Sequence, residues 1–299
     1  GKIGTDPGMD VGDEVWYYSD NSADYSNKTT FWIAKGMQNS NEPLVDYWNG
    51  TQWGKAMFVG IRDCNVFIEN IEKVPDLSAY DKETWKAEAK VLKAFYHFWM
   101  MRMYGPIPII KENIPVSAGE DEVRVVRDKI DDIVTYIVSL IDESVEYLPL
   151  NIQNEAAEMG RITRPAAKAI KAKILAFAAS PFFNGNLDYA NFKNAEGEPF
   201  FNQVYDNEKW TKAADACLEA IQCAEEAGHG LYEFVNMSST QLSDETILSL
   251  SNRCKVTERW NKELVWGCGQ SGIRDLQVLC QPWLESNYSS DDRYHNARN

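Results

Sequence analysis

Histidine is scarce in this chain: three among 299 residues, His97, His229 and His295, and none at a spacing that pairs it with a nucleophile. Triads of the Ser-His-Asp or Cys-His kind are therefore not expected. The six cysteines, Cys64, Cys217, Cys223, Cys254, Cys268 and Cys280, form no CxxC pair and do not alternate with the histidines, which argues against a zinc site. Their even number would suit disulfides in an exported protein, but Cys64 and Cys217 fall in helical apolar patterns, where buried thiols are expected. Positive charge is short as well. Lys and Arg total 30 against 45 Asp and Glu, and the formal charge of -15 repels a phosphate backbone, so nucleic acid is no expected partner. No apolar run reaches the roughly 18 residues of a spanning helix, and no signal peptide opens the sequence. The abrupt start at GKIGTDPG is what removal of an upstream leader would leave.

What the chain does have is aromatic residues: 10 Trp, 14 Tyr and 12 Phe, several outside any helical stripe. Its 44% hydrophobic and 25% charged residues are those of a folding globular chain. Residues 1–50 read as a loop-rich segment with a short helix near NKTTFWIAKGM. Helical periodicity then takes over from Trp53, with Met57, Ile61, Cys64, Phe67 or Ile68, and Ile71 on one face and a stop before Pro75. In the next helix Trp85, Ala89, Leu92, Tyr96, Trp99 and Met103 trace one stripe and Val91, Phe95, Phe98 and Arg102 a second. A helix apolar over so much of its circumference belongs between other helices. Gly105 should end it in a left-handed conformation, and Pro106 and Pro108 send the chain out extended. A third helix is expected from about Val123 to Tyr147, a fourth over ITRPAAKAIKAKILAFAAS with a row of small alanines, and a fifth after Asp206 or Asn207 to Gly228.

Five helices in such an order imply an all-α core of tetratricopeptide-like helix pairs, an α-solenoid, over residues 51–228. One insertion, FFNGNLDYANFKNAEGEPFFNQVYDN, is a long polar and aromatic loop of the kind kept for function. Residues 229–299 read as the start of an irregular, loop-rich subdomain. Short strands are expected there at ETILSLSN and KELVWGCG, and the sequence looks like part of a longer protein.

Three segments carry a resemblance. WGKAMFVGIRDCNVFIENI has a Trp, an aromatic and an I-R-x-C-N stretch entering an apolar helix end. Glu88, Ala89, Leu92, Ala94, Phe95, Tyr96, Tyr104, Gly105, Pro108 and Ile109 follow an E-A-x-x-L-R-A-x-x-Y-F to Y-G-x-V-P-L signature, with Lys93 where Arg is usual. GRITRPAAKAIKAKILAFAAS follows a G-R-(V/I)-T-x-x-A-A-x-A-L-x-A-R-x-x-L segment, with Lys173 for Arg. Together they resemble the SusD/RagB family of outer-membrane nutrient-binding proteins. The resemblance implies an all-α core of four helix pairs and a loop-rich subdomain that carries ligand contacts. It also implies a lipid-anchored outer-membrane protein at the cell surface, whose anchoring Cys is not in this sequence, closing over a SusC-type TonB-dependent transporter. Neither a catalytic group nor a cofactor is expected.

Signature positions such as Glu88 and Arg102 are read as structural partners, and so are Arg62 and Asn65. Glycan contacts are sought instead among loop aromatics beside Asn and Asp, since a sugar ring offers an apolar C–H face edged with hydroxyls. DEVWYYSDNSADY and DYWNGTQW have that composition, giving Trp16, Tyr17, Tyr18, Asp46, Trp48 and Asn49 as candidates, followed by Trp260, Trp266, Trp283 and Tyr288. The alternative for each is a ring that pins its loop to the helices. Two other function classes fit less well. An α-helical glycoside hydrolase could use the acidic cluster Asp6, Asp10, Asp13 and Glu14, but the sequence shows no pair of carboxyls at a defined separation. A tetratricopeptide scaffold for peptides would need an open, charge-lined groove, and these helices are too apolar all round for one.

Overall fold

The structure, a computed structural model, describes residues 32–51, 55–237 and 239–268. The chain divides into two units, Gly1–Ala56 with Cys268–Asn299, and Met57–Gly267. In the second unit the long helices are α1 (Met57–Asn70), α2 (Ala79–Tyr104), α4 (Ile130–Asp142), α6 (Arg164–Ala179), α7 (Glu208–Glu226) and α8 (Asp244–Thr257). Two single turns, α3 (Glu120–Val123) and α5 (Glu155–Glu158), lie between them. Packing follows chain order, α1 on α2, α2 on α4, α4 on α6 and α6 on α7, which is the expected all-α arrangement of helix on helix.

Local chemistry sets the helix starts. The Ser78 hydroxyl accepts from the Asp81 N–H, Thr163 from Ala166 and Ser243 from Thr246, each occupying a donor that the first turn leaves open. The last of these corrects the sequence reading. ETILSLSN is part of helix α8, because Ser243 caps it and Asp244 and Glu245 complement its N-terminal dipole, outweighing the strand preference of Thr and Ile. Among the described residues, β-structure is confined to isolated bridges such as Asn184 with Asn202 and Lys193 with Pro199. The unit containing the helices also runs on to Gly267, so α8 and the turn after it group with them.

The third expected helix is shorter than its pattern. Instead of continuing back to Val123 it begins at Ile130, since the preceding residues pair with the chain leaving α2. Asp128 accepts from the Ile109 N–H at 2.7 Å and donates its own N–H to the Ile107 carbonyl at 3.0 Å, while Arg127 bonds the carbonyl of Pro106. A non-local partner for the backbone outcompeted one more helical turn.

Helix α2 is the spine. Its buried face runs through Ala87, Val91, Ala94, Phe98 and Met101, one register away from the stripe led by Trp85, whose larger rings are half-buried. Ile61, Ile107, Ile133, Ile137, Ile141 and Ile174 close around it, all fully buried. Glu88 and Arg102 are structural, as expected. The Arg102 guanidinium lies between the rings of Phe98, Trp99 and Phe177 at 5.4–5.7 Å. Glu88 accepts three bonds from Arg161, at 3.0, 3.1 and 3.3 Å, while Arg161 also reaches Glu158 and covers the ring of Trp85. Burial pushes the Glu88 carboxyl above its usual range, with Arg161 opposing the shift. Replacing Glu88 with Ala should therefore leave Arg161 short of its main partner and cost about 2 kcal/mol in denaturant unfolding, Gln costing less. Equal losses for Ala and Gln would show that the one oxygen Gln keeps cannot hold Arg161 without the charge.

The cysteines divide differently from the expectation. Cys64 is buried, but Cys217 is exposed, because α7 buries Ala213, Ala216 and Cys223 against α6 and turns Cys217, Leu218 and Ile221 outward.

Candidate functional site

In the first unit, the candidate residues 46–49 form a turn that Asp46 holds by itself. One carboxylate oxygen accepts from the N–H groups of Trp48 and Asn49, both at 2.9 Å, and the other from the Thr51 hydroxyl at 2.6 Å. Burial would raise this carboxyl, yet the Thr51 hydroxyl and the two N–H bonds hold it below the usual carboxylate range. The turn closes with the Gly50 N–H on the Asp46 carbonyl at 3.1 Å, and Gly50 is required: its φ is +79° and a Cβ there would sit 2.7 Å from the Ala56 nitrogen. Gln38 braces the approach, donating to the Val45 carbonyl and accepting from the Leu44 N–H. Asp46 is thus buried and engaged on both oxygens, whereas Trp48 is half-buried and Asn49 exposed. The arrangement presents one ring and one amide on a rigid turn. Thr51 and Gly50 were not among the sequence candidates, although D-x-x-N-G-T is a local signature of a side chain capping its own turn.

The second pair of candidates lies in the helical unit. Trp266 is a fastener: its indole N–H donates to the Gly160 carbonyl at 3.0 Å and its ring meets Phe95 edge to face at 5.6 Å. Trp260 is half-buried and has φ of 56°, an uncommon conformation for a large side chain. Asn261 holds that turn, donating to the carbonyls of Lys255 and Glu258 and accepting from the Glu263 N–H. Trp16, Tyr17, Tyr18, Trp283 and Tyr288 lie outside the described residues, as does the acidic cluster of residues 6–14.

A cleft of about 480 Å³ opens between α1 and the start of α2, lined by Val66, Phe67, Ile71, Val74, Leu77 and Trp85. Its polar groups are two side chains at the edge, the exposed Asp76 carboxylate and the Asn70 amide, the latter already bonded to Val66 and Lys73. A sugar would find apolar walls and little to orient its hydroxyls.

Residues 7–175 match the profile of a SusD-like family described as starch-binding and associating with the outer membrane. The chain belongs to the SusD-like family. A SusD-like protein of Bacteroides ovatus is 31% identical over 99 residues, 33% of this chain and 16% of that protein. Among solved structures, BT4246 is 29% identical with a TM-score of 0.66, over 81% of this chain and 43% of its own. Surface glycan-binding protein A of Bacteroides uniformis shares the fold, with 16% identity and a TM-score of 0.51 over 80% of this chain and 41% of its own. The chain therefore spans less than half the length of these relatives. Within the family frame, the E-A-x-x-L to Y-G-x-x-P signature is the α2 spine and its exit, and the G-R-I-T segment carries Arg161 and the Thr163 cap of α6.

Proposed function

We propose that this SusD-like chain is a non-enzymatic glycan-binding protein of the outer-membrane surface. It captures oligosaccharides and hands them to a SusC-type TonB-dependent transporter. The family match over residues 7–175, to a profile described as starch-binding, is the observation that carries this reading. The likeness to a surface glycan-binding protein agrees with it at the level of fold. In this reading the half-buried Trp48 ring on the Asp46 turn receives C–H groups, and the exposed Asn49, whose side chain also bonds Asp46, gives its remaining amide valence to a hydroxyl, on a geometry fixed before binding. Trp16, Tyr17, Tyr18, Trp283 and Tyr288 are assigned to the same role from their loop composition. Asp46 acts as a positioning residue, and Trp266 holds its segment to α2 through Phe95 and to the α5–α6 connection through Gly160.

The test is affinity electrophoresis and calorimetry of the purified protein against a polysaccharide panel, with product analysis of the same samples. Retention on at least one glycan without shortened products is expected. Trp48→Ala should then weaken binding by roughly tenfold, the scale of one lost stacking contact. If Trp16→Ala, Trp48→Ala and Trp283→Ala, tested separately, all bind as the parent does, the loop-aromatic reading fails. Released oligosaccharides would replace it with the hydrolase.

A further inference from the structure

The insertion between α6 and α7 is a fastened platform. Asn184 exchanges two bonds with the backbone of Asp206, both at 2.8 Å, and the N–H groups of Gly185 and Asn186 converge on the Asn202 carbonyl at 3.1 Å. Asn186 donates to the Phe182 carbonyl and accepts from the Asp188 N–H, and Gln203 donates to the Ala190 carbonyl. Further along, the Phe200 N–H bonds the Phe192 carbonyl and the Ile130 N–H bonds that of Phe200, tying the loop to the start of α4.

Through this scaffold a line of rings runs outward from the core. Phe98 on α2 meets Phe177 at 5.6 Å, Phe177 meets Phe183 at 4.9 Å, Phe183 stacks on Phe201 at 5.8 Å, and Phe201 stacks on Tyr189 at 4.8 Å and 21°. Phe98 and Phe183 are 1% exposed and Phe201 3%, Phe177 between the first two is half-buried, and the line ends at Tyr189, 39% exposed. Phe182, 48% exposed, meets the Tyr189 ring edge on at 5.6 Å. Tyr189 is therefore the outer ring of a stack anchored in the core, with a second exposed ring against it. Asp188, just before it in the chain, and Asn191, two residues after it, are both exposed.

We propose that Tyr189 and Phe182 form a carbohydrate platform additional to the Trp48 turn, receiving one pyranose ring of a neutral glycan. The proposal rests on the glycan-binding reading above. Stacking is sequence-tolerant and needs a ring already immobilised, which the Phe183–Phe201–Tyr189 column provides at little further cost in side-chain entropy. The Asp188 carboxylate and Asn191 amide are of the type that bonds sugar hydroxyls. Neutrality of the ligand follows from charge: Asp188 beside the platform and a formal charge of -15 on the chain disfavour uronic or sulfated polymers.

The experiment uses the whole chain and the neutral polysaccharide that it retains most strongly in affinity electrophoresis, with soluble starch included. Tyr189→Ala should weaken retention about tenfold and Phe182→Ala less, while Tyr189→Phe, which keeps the ring, should bind as the parent does. Asp188→Ala, an exposed change outside the stack, should also weaken binding at unchanged melting temperature, so it decides the matter if Tyr189→Ala folds poorly. Carboxymethylated starch should bind less well than starch. If Tyr189→Ala, Phe182→Ala and Asp188→Ala retain parental affinity while Trp48→Ala loses it, the platform is wrong and the glycan-binding function stands. Failure of the parent to bind any polysaccharide removes both. Loss of self-association by Tyr189→Ala, with glycan affinity unchanged, identifies the rings as a protein contact and overturns the proposal.

Discussion

Acidification from neutral pH to about pH 4 should cost the fold about 3 kcal/mol through one side chain, His97, and His97→Gln should remove that share of the pH dependence. The ring is fully buried on α2, with both nitrogens engaged. Nδ1 faces the Lys93 carbonyl at 2.8 Å and so carries the proton, leaving Nε2 to accept from the Ile110 N–H at 3.2 Å. A second proton would set Nε2–H against that N–H. Burial is the main cause that lowers the His97 pKa from 6.5 to about 4, and the neighbouring Lys93 ammonium lowers it further, against the hydrogen bond to the Lys93 carbonyl. The sign follows from the unfolded chain taking up its proton first. Stability from this group is complete above about pH 6.5 and drains away as pH falls toward 4, because the folded state resists protonation until then. Carboxylates also titrate in the lower part of this range, so the quantity to read is the difference between parent and His97→Gln in urea unfolding at several pH values. Identical slopes for the two proteins would refute the assignment.

His97 and Lys93 also show where the sequence stopped being legible. Neither falls in the two apolar stripes of the helix, and Lys93 stands out only as a signature position where Arg is usual. In the structure the Lys93 ammonium donates to the Lys111 carbonyl at 2.6 Å and lies 5.7 Å from the Tyr136 ring centre, so both side chains fasten the extended exit of α2 back onto the helix. Their partners are backbone groups many residues away, and no periodicity announces those. The same cause shortened α4, whose expected first turns pair instead with residues 106–109. Where the signal was local it was readable in principle. The Gly105 stop gave the end of α2; the Ser78 and Thr163 caps could have given the starts of α2 and α6, and the D-x-x-N-G-T staple around Asp46 could have been recognised as turn chemistry rather than as a sugar contact. For the candidate site, composition pointed to loop aromatics but could not show that the Trp266 N–H is used inside the fold, on the Gly160 carbonyl, or that Trp48 sits half-buried on the Asp46 turn.

Gly105→Ala should be among the most damaging single methyl additions in this chain, lowering stability by about 3 kcal/mol, because two costs meet at one residue. Its φ of 69° was expected from the helix stop, but ψ is -126°, outside the left-handed helical well and in a region open almost only to glycine. That geometry lets the Gly105 N–H finish α2 on the Met101 carbonyl at 2.9 Å while the chain departs extended through Pro106 and Pro108. A Cβ would in addition lie 3.2 Å from Cζ of Phe201. Phe201 has little room to yield, held between Phe183 and Tyr189 in the stacked column. The two costs can be separated with Gly197→Ala, where φ is also positive at +83° but nothing lies within 4 Å of the new methyl group. Thermal unfolding should show a loss of about 1 to 2 kcal/mol for Gly197→Ala, backbone strain alone, and a clearly larger one for Gly105→Ala. Equal losses would mean that Phe201 moves aside freely. The column beneath Tyr189 would then not be the rigid support that the carbohydrate platform requires, so this stability measurement also bears on the binding proposal before any sugar is added.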